Sequence, residues 1–232
     1  MERMDDNPST TKYTLANPHL PGEAYDQITD MQLWELFKAG DKKAFDSIYD
    51  RLFQPLCGYG DKICAEKALV EDVIQDLFIS LWTRREHLGG TDSIKFYLFR
   101  CLRRMLIRRV QQEEKRGNAY SFTSGISFQL ELSAKATSTT ISDIEEERKK
   151  VLNQALHKLT DRQREAIYLK FYNNLSFQEV AEVMEIGVRS VYNLVGRTID
   201  ILRADFKKTN PDAELASLPM LLTLLSACLE YA

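Results

Sequence analysis

The stretch from Leu159 to Arg203 restricts the fold of this chain more than any other. Two segments in it, Thr160–Gln163 and Ser176–Glu179, fit the capping box, in which a hydroxyl and a Glu or Gln side chain satisfy free amides at a helix start. After the second box, apolar residues recur at Val180, Met184, Ile186, Val191 and Leu194. This spacing predicts a helix, a tight turn at residues 185–187 and a second helix beginning near Val188. Such a pair is a helix-turn-helix, the geometry that places a recognition helix in the major groove of DNA.

The outward face predicted for that second helix carries side chains that can contact base edges and phosphates. They are Arg189, Ser190, Tyr192, Asn193 and Arg197. A good bidentate contact to a base is worth roughly 1–3 kcal/mol of discrimination. An ordinary helical hairpin with a solvated polar face would show the same pattern, so the rest of the chain has to separate the two interpretations.

Charge is unevenly placed along the chain, although the net charge is only −3. Residues 84–116 hold ten Lys or Arg and four Asp or Glu, whereas residues 41–76 hold five basic and eight acidic side chains. The small net charge excludes a uniformly basic nucleic-acid coat. One acidic and one basic surface indicate two different partners.

The acidic surface is predicted on an amphipathic helix from Leu69 to Trp82. Its apolar stripe includes Val70, Val73, Ile74, Leu77, Phe78 and Leu81, and the opposite side carries Glu71, Asp72, Gln75 and Asp76. For an isolated helix, a merely solvated acidic face is the simpler interpretation.

The basic surface is predicted on a second helix, from Ile94 to about Gln112. Its arginines are Arg100, Arg103, Arg104, Arg108 and Arg109. Arginines without interleaved Glu repel one another, and an anionic polymer alongside would reverse that cost. Phe96 and Tyr97, next to the Gly89–Gly90 loop, add faces on which an unstacked base can lie. The alternative is a basic surface helix without a nucleic-acid partner.

The predicted fold class is therefore all-α: two small helical domains joined by a flexible linker, the second containing the helix-turn-helix. The expected boundaries are a flexible leader at 1–28, a first domain at 29–116, a Ser- and Thr-rich linker at 117–142, a second domain at 143–207 and an apolar C-terminal helix of unassigned role at 208–232.

Several features predict a cytoplasmic protein without membrane insertion. Residues 1–20 do not form a signal peptide, and the longest apolar run, near residues 218–229, is shorter than the roughly 20 residues that span a bilayer. The four cysteines have neither CxxC nor metal-ligand spacing, so no metal and no cofactor are expected. No nucleophile–base set stands out, which predicts that the chain is not an enzyme.

Three motifs follow one another in a fixed order. They are Glu71-Asp72-x-x-Gln75-Asp76-x-Phe78-x-x-Leu81-Trp82, then Phe96-Tyr97-Leu98-Phe99 running into arginines, and last Leu159-Thr160-Asp161-Arg162-Gln163-Arg164-Glu165 followed by Leu175-Ser176-Phe177-Gln178-Glu179-Val180-Ala181. In combination the chain resembles a bacterial sigma factor of the extracytoplasmic-function type, the two-domain minimal form of the sigma-70 family. The resemblance covers about residues 30–116 and 145–205.

The resemblance implies core RNA polymerase and promoter DNA as partners, and it adds an anti-sigma factor as a candidate. The first domain would be sigma region 2, and the second would be region 4. Contact with core polymerase, at the beta-prime clamp and the beta subunit, is expected to involve Glu71, Asp72, Gln75, Asp76, Phe78 and Trp82. The helix from Val188 to Ile199 would read the minus-thirty-five element, and the linker would thread toward the active-site channel.

The minus-ten element would be held by the loop at 84–93 and by the basic helix, which would capture a flipped base. The residues expected there are Lys95, Phe96, Tyr97, Arg100, Arg103, Arg104, Arg108 and Arg109.

The chain also departs from the family pattern. Arg104 and Arg108 stand where Asn and Asp are common, Gly187 replaces the usual Ser, and Tyr192 and Leu194 replace Lys and Arg. The promoter sequence that is read should differ accordingly. Two other functions fit parts of the pattern: a stand-alone helix-turn-helix regulator, and a sigma-like antagonist.

Overall fold

A computed structural model describes residue 25, residues 27–116, residue 128 and residues 153–209. All regular structure in these ranges is helical, as the all-α prediction requires. Most of the predicted linker and nearly all of the predicted C-terminal helix lie outside the described residues.

The described helices form two groups. The first group is α1 (Asp30–Lys38), α2 (Lys42–Ile63), α3 (Lys67–Arg84) and α4 (Ile94–Lys115), with a short 3₁₀ turn at Arg85–His87. The second group is α5 (Asp161–Ile167), a π-type turn at Tyr168–Tyr172, α6 (Phe177–Met184) and α7 (Val188–Thr209), preceded by a helical turn over residues 153–157.

The predicted capping boxes form. Gln163 Oε1 accepts from the Thr160 amide at 2.9 Å, and Glu179 Oε2 accepts from the Ser176 amide at 2.7 Å. Glu185, with φ of 55°, ends α6 in the left-handed region and turns the chain into α7. The helix-turn-helix therefore begins and ends where its start signals and its turn predict.

A proline inside a helix usually breaks or kinks it, but α2 runs through Pro55. Its apolar stripe is buried on both sides of the proline, at Ile48 and at Leu56, so packing holds the two halves in one helix. Gly60 then lets α2 approach α3 closely, since a Cβ there would overlap the side chain of Val70.

The predicted leader is ordered at its end, contrary to the expectation for residues 1–28. Tyr25 is 2% exposed, its hydroxyl donates to the Asp41 carboxylate at 2.7 Å, and the Arg51 guanidinium donates to its carbonyl oxygen. Asp41 also caps α2 by accepting from the amides of Lys43 and Ala44, at 2.9 and 3.3 Å. A buried tyrosine with a paired hydroxyl fixes this part of the chain.

The two helical groups pack against each other through α4 and α6. Tyr59 of α2 stacks between Phe99 of α4 and Tyr168 of the second group, with ring centroids 5.0 and 6.2 Å away. Phe128, inside the predicted linker, is fully buried beside Tyr59 and Tyr168. Its amide donates to Asp161 at 3.0 Å. The two domains are thus in contact, where the sequence suggested only a tether.

Candidate nucleic-acid and protein interfaces

Helix α3 presents the predicted acidic face to solvent. Glu71, Asp72, Gln75 and Asp76 are all exposed. Ile79, one turn further along the same face, is 63% exposed. The face is therefore an acidic surface with one apolar side chain, Ile79, at its end. The helical period of the sequence could have identified that side chain.

Two residues expected on this surface lie elsewhere. Phe78 is 4% exposed and packs edge-on against Phe45 in the core of the first domain. Trp82 is half-buried, with the Arg85 guanidinium over its ring at 4.6 Å. Both belong to the apolar side of α3, opposite the acidic side chains, so they support the helix and do not form its outer face.

The arginines of α4 divide into two sets. Arg108 and Arg109 are exposed at the C-terminal half of the helix. Arg100, Arg103 and Arg104 instead face the second domain, where each meets a glutamate. The predicted arginine surface is therefore divided in two, and contact of either set with DNA stays a prediction.

Arg103 is the clearest correction, because it is 7% exposed. Its Nε donates to Glu165 Oε1 at 2.7 Å and its Nη2 to Oε2 at 3.3 Å, a bidentate pair. The Tyr59 hydroxyl donates to the same carboxylate at 2.7 Å. We call these three residues the buried triad. In this arrangement Arg103 has no access to DNA.

Burial and charge act in opposite directions on the triad. Burial opposes the charged guanidinium of Arg103, but the facing Glu165 carboxylate leaves its pKa above the ordinary value. Burial, and next the Glu165 charge, raise the pKa of Tyr59 well above 10. The guanidinium therefore stays charged and the phenol stays neutral near pH 7.

An acidic row on α6 faces the exposed part of the same interface. Arg100 Nη1 lies 3.2 Å from Glu182 Oε2, and Arg104 Nε lies 2.6 Å from Glu185 Oε1. Burial lowers the pKa of Lys95, and the charge of Glu179 opposes that shift. Glutamates at 179, 182 and 185 thus form one row. Their three-residue spacing was visible in the sequence, but the partner of the row was not.

The loop before α4 is anchored at both ends by α1. The Trp34 indole donates to the Gly89 carbonyl at 2.8 Å, and Asp30 accepts from the Ile94 amide at 2.9 Å. Tyr97 packs edge-on against Trp34 at 5.2 Å, and burial raises its pKa to about 12. Phe96 is half-buried. The aromatic rings predicted to stack on a base are therefore partly packed against the core of the first domain.

The predicted reading face of α7 is exposed as a whole. Arg189, Ser190, Tyr192, Asn193 and Arg197 all lie on the solvent side. Val191 and Val195 face inward, and Ala181 of α6 is 2% exposed, close to the crossing of the two helices. Phe177, which sequence reasoning left without a role, stacks on Tyr192 with ring centroids 4.1 Å apart.

Within the described ranges, no group of three or more His, Cys, Asp or Glu could hold a metal ion. None of the helices in those ranges has the length and apolar character needed to cross a bilayer.

Comparison with known families supports both halves of this arrangement. A model described as Sigma-70 region 2 matches residues 48–116, and one described as Sigma-70, region 4 matches residues 149–200. Together the two matches span about half of the chain.

Curated relatives match about two thirds of the chain or more. The chain is 26% identical over 155 residues to the ECF RNA polymerase sigma factor SigK of Mycobacterium sp. (strain KMS), covering 65% of this chain and 77% of that protein. It is 23% identical over 175 residues to SigW of Bacillus subtilis (strain 168), covering 73% and 92%.

A solved structure has the same fold. CnrH, determined in complex with the cytosolic domain of CnrY, superposes with a TM-score of 0.50 at 20% identity, covering 79% of this chain and 99% of that one. The likeness to CnrH concerns the fold, and the family follows from the region 2 and region 4 matches and the ECF relatives: the chain belongs to the sigma-70 family, in its extracytoplasmic-function group.

Proposed function

We propose that the chain binds core RNA polymerase and directs promoter recognition, DNA melting and transcription initiation. The observation that carries this proposal is the pair of exposed surfaces on separate domains: the acidic face of α3 and the polar face of α7. A stand-alone regulator would need only α7, and the region 2 match would then have no purpose. Sigma factors are regulatory subunits and not enzymes, which fits the absence of a recognisable catalytic set in the sequence.

The acidic face would bind the beta-prime clamp. Asp72 and Asp76 lie one turn apart and are exposed, with Ile79 completing the surface. Charge complementarity sets encounter rate and register more than affinity, so the apolar Ile79 is the residue that gains from burial in the complex. The second domain would contact the beta subunit.

Promoter contacts would be shared between the two domains. Arg189 and Arg197 of α7 would bind the minus-thirty-five element, and Arg108 and Arg109 of α4 would bind the minus-ten region with Phe96 and the loop before the helix. Because polymerase and chromosome are cytoplasmic, we place the protein there. An anti-sigma factor is a further candidate partner.

Run-off transcription with core polymerase and genomic fragments tests the proposal. The chain should direct initiation at defined sites, and a chain with Asp72→Lys and Asp76→Lys should lose stoichiometric binding to core polymerase. A chain with Asp46→Lys and Asp50→Lys, exposed positions on α2, is the control with the same change in net charge. Polymerase binding without initiation would identify a sigma-like antagonist. Absence of polymerase binding would favour the stand-alone helix-turn-helix regulator.

A further inference from the structure

We propose that Tyr192 reads the 5-methyl group of a thymine in the minus-thirty-five element. This inference rests on the proposed function and adds to it the chemical group that one residue recognises.

The ring of Tyr192 is held in place by its neighbours. Phe177, the first residue of α6, stacks on it with ring centroids 4.1 Å apart and an angle of 20° between the planes. Lys170 Nζ lies over the Phe177 ring at 4.8 Å and donates to the Leu175 carbonyl at 3.0 Å. Stacking removes most of the rotational freedom that an exposed tyrosine has, so the cost of ordering it on DNA is already met.

The ring is nevertheless available to a partner. Tyr192 is 55% exposed although it is stacked, whereas Val191 and Val195 beside it are buried. The helix therefore presents a fixed, flat apolar surface on its solvent side. One turn earlier Arg189 and one residue later Asn193 are exposed and supply polar groups on the same side.

The surface of α7 is also recessed next to this ring, because a glycine stands there. Gly196, one turn after Tyr192, is exposed, and a Cβ there would meet no atom within 4 Å. Packing does not require a glycine at this point, and glycine inside a helix is unfavourable relative to alanine. A missing side chain next to the tyrosine ring lets a base edge approach the helix closely.

The chemistry of the major groove selects the ligand. Among the four bases, thymine alone displays an apolar group there, the 5-methyl, and the other groups are hydrogen-bond donors or acceptors. An aromatic ring with one hydroxyl cannot form the bidentate pairs by which Arg reads guanine or Asn reads adenine. The ring face therefore fits thymine, with the hydroxyl free to meet water or a phosphate.

The test uses holoenzyme made from the full chain and core polymerase. Initiation from templates with a randomised upstream element first identifies the preferred sequence. Each thymine in it is then replaced by deoxyuridine, which removes only the methyl group. At one thymine we expect binding to fall about fourfold, the effect of withdrawing one buried methyl-sized group.

Three variants complete the test. Tyr192→Phe keeps the ring and should keep the fourfold penalty, which separates the ring from its hydroxyl. Tyr192→Ala and Tyr192→Gln should bind thymine and deoxyuridine templates equally. A preferred element that lacks a methyl-sensitive thymine would overturn the inference, and so would a penalty that persists in both ring-less variants. In either case, initiation at defined sites would leave the proposed function intact, whereas absence of any preferred upstream element would remove both.

Discussion

At the scale of single residues, the buried triad has the largest energetic consequence. Glu165 satisfies the Arg103 guanidinium twice and the Tyr59 hydroxyl once, all within the buried interface. Removing one member of a buried ion pair leaves an uncompensated charge, which costs more than the pair itself contributes. The triad should therefore contribute more to the stability of the interface between the domains than either exposed ion pair does.

Glu165→Gln should lower the free energy of unfolding by about 3 kcal/mol, because Arg103 would remain charged and buried without a carboxylate. Urea unfolding measures the change. Glu185→Gln is the matched control: its pair with Arg104 is 51% exposed on both sides, so its loss should cost about 0.5 kcal/mol. Equal losses in the two variants would contradict the role of burial.

Buried phenols predict an alkaline limit to stability. The pKa of Tyr97 is raised to about 12 and that of Tyr59 is also raised well above its ordinary value, in both cases mainly by burial, against about 10 in the unfolded chain. A raised folded pKa gives stability that is complete below pH 10 and lost as pH rises above it. Unfolding free energy should therefore fall between pH 10 and 12. Tyr97→Phe should reduce that slope in urea unfolding measured across this pH range, and an unchanged slope would contradict the effect of its burial.

At the scale of elements, most of the fold could be predicted because its signals are local. The boxes at Thr160 and Ser176, and the cap at Asp41, each involve residues two or three positions apart, so they can be recognised in the sequence. Thr29 and Gln32 form a third box of the same pattern, which can be recognised in the same way. The continuity of α2 through Pro55 is not a local signal, because the burial that maintains it depends on helices distant in sequence.

Two helical glycines should respond oppositely to alanine. Gly60→Ala would push a Cβ into Val70 between α2 and α3, which should cost about 1–3 kcal/mol of unfolding free energy. Gly196→Ala meets open space on α7 and should stabilise the protein by about 0.5–1 kcal/mol. Thermal and urea unfolding of both variants checks the signs. If Gly60→Ala left the unfolding free energy unchanged, the close approach of α2 and α3 at this position would be contradicted.

At the scale of the whole molecule, the sequence could not reveal that the domains are in contact. The three ion pairs across the interface join residues 62, 82 and 81 positions apart, and such pairs leave no periodic signal. The acidic row on α6 and the arginines on α4 were each visible, but their pairing was not. The exposed faces of α7 and α3 could therefore be predicted from the sequence, and the exposed face of α4 only in part, whereas the binding roles of all three stay predictions.

The contact has a consequence for DNA binding. Arg100 and Arg104 cannot pair with Glu182 and Glu185 and also bind phosphates, whereas the reading face of α7 is exposed in the same arrangement. In the proposed function, these glutamate carboxylates would compete with backbone phosphates for the two arginines. Contact of α4 with the minus-ten element through these arginines therefore requires that the second domain move away.

Glu182→Lys with Glu185→Lys should shift the molecule toward an open arrangement, because both exposed pairs become repulsive and only the buried contacts still hold the domains together. Each such pair is worth up to about 1 kcal/mol, so affinity for a single-stranded minus-ten oligonucleotide should rise roughly fivefold or more, with a larger radius of gyration in X-ray scattering.

The control is Asp46→Lys with Asp50→Lys, which adds the same charge at exposed positions on α2 and measures the general attraction of added positive charge to DNA. Equal affinity in the two double variants, or an unchanged radius, would mean that the α6 row does not compete with DNA. Raising the salt concentration should reduce the difference in oligonucleotide affinity between wild type and the opened variant. The ion pairs that the variant lacks are exposed, so salt already screens them in wild type.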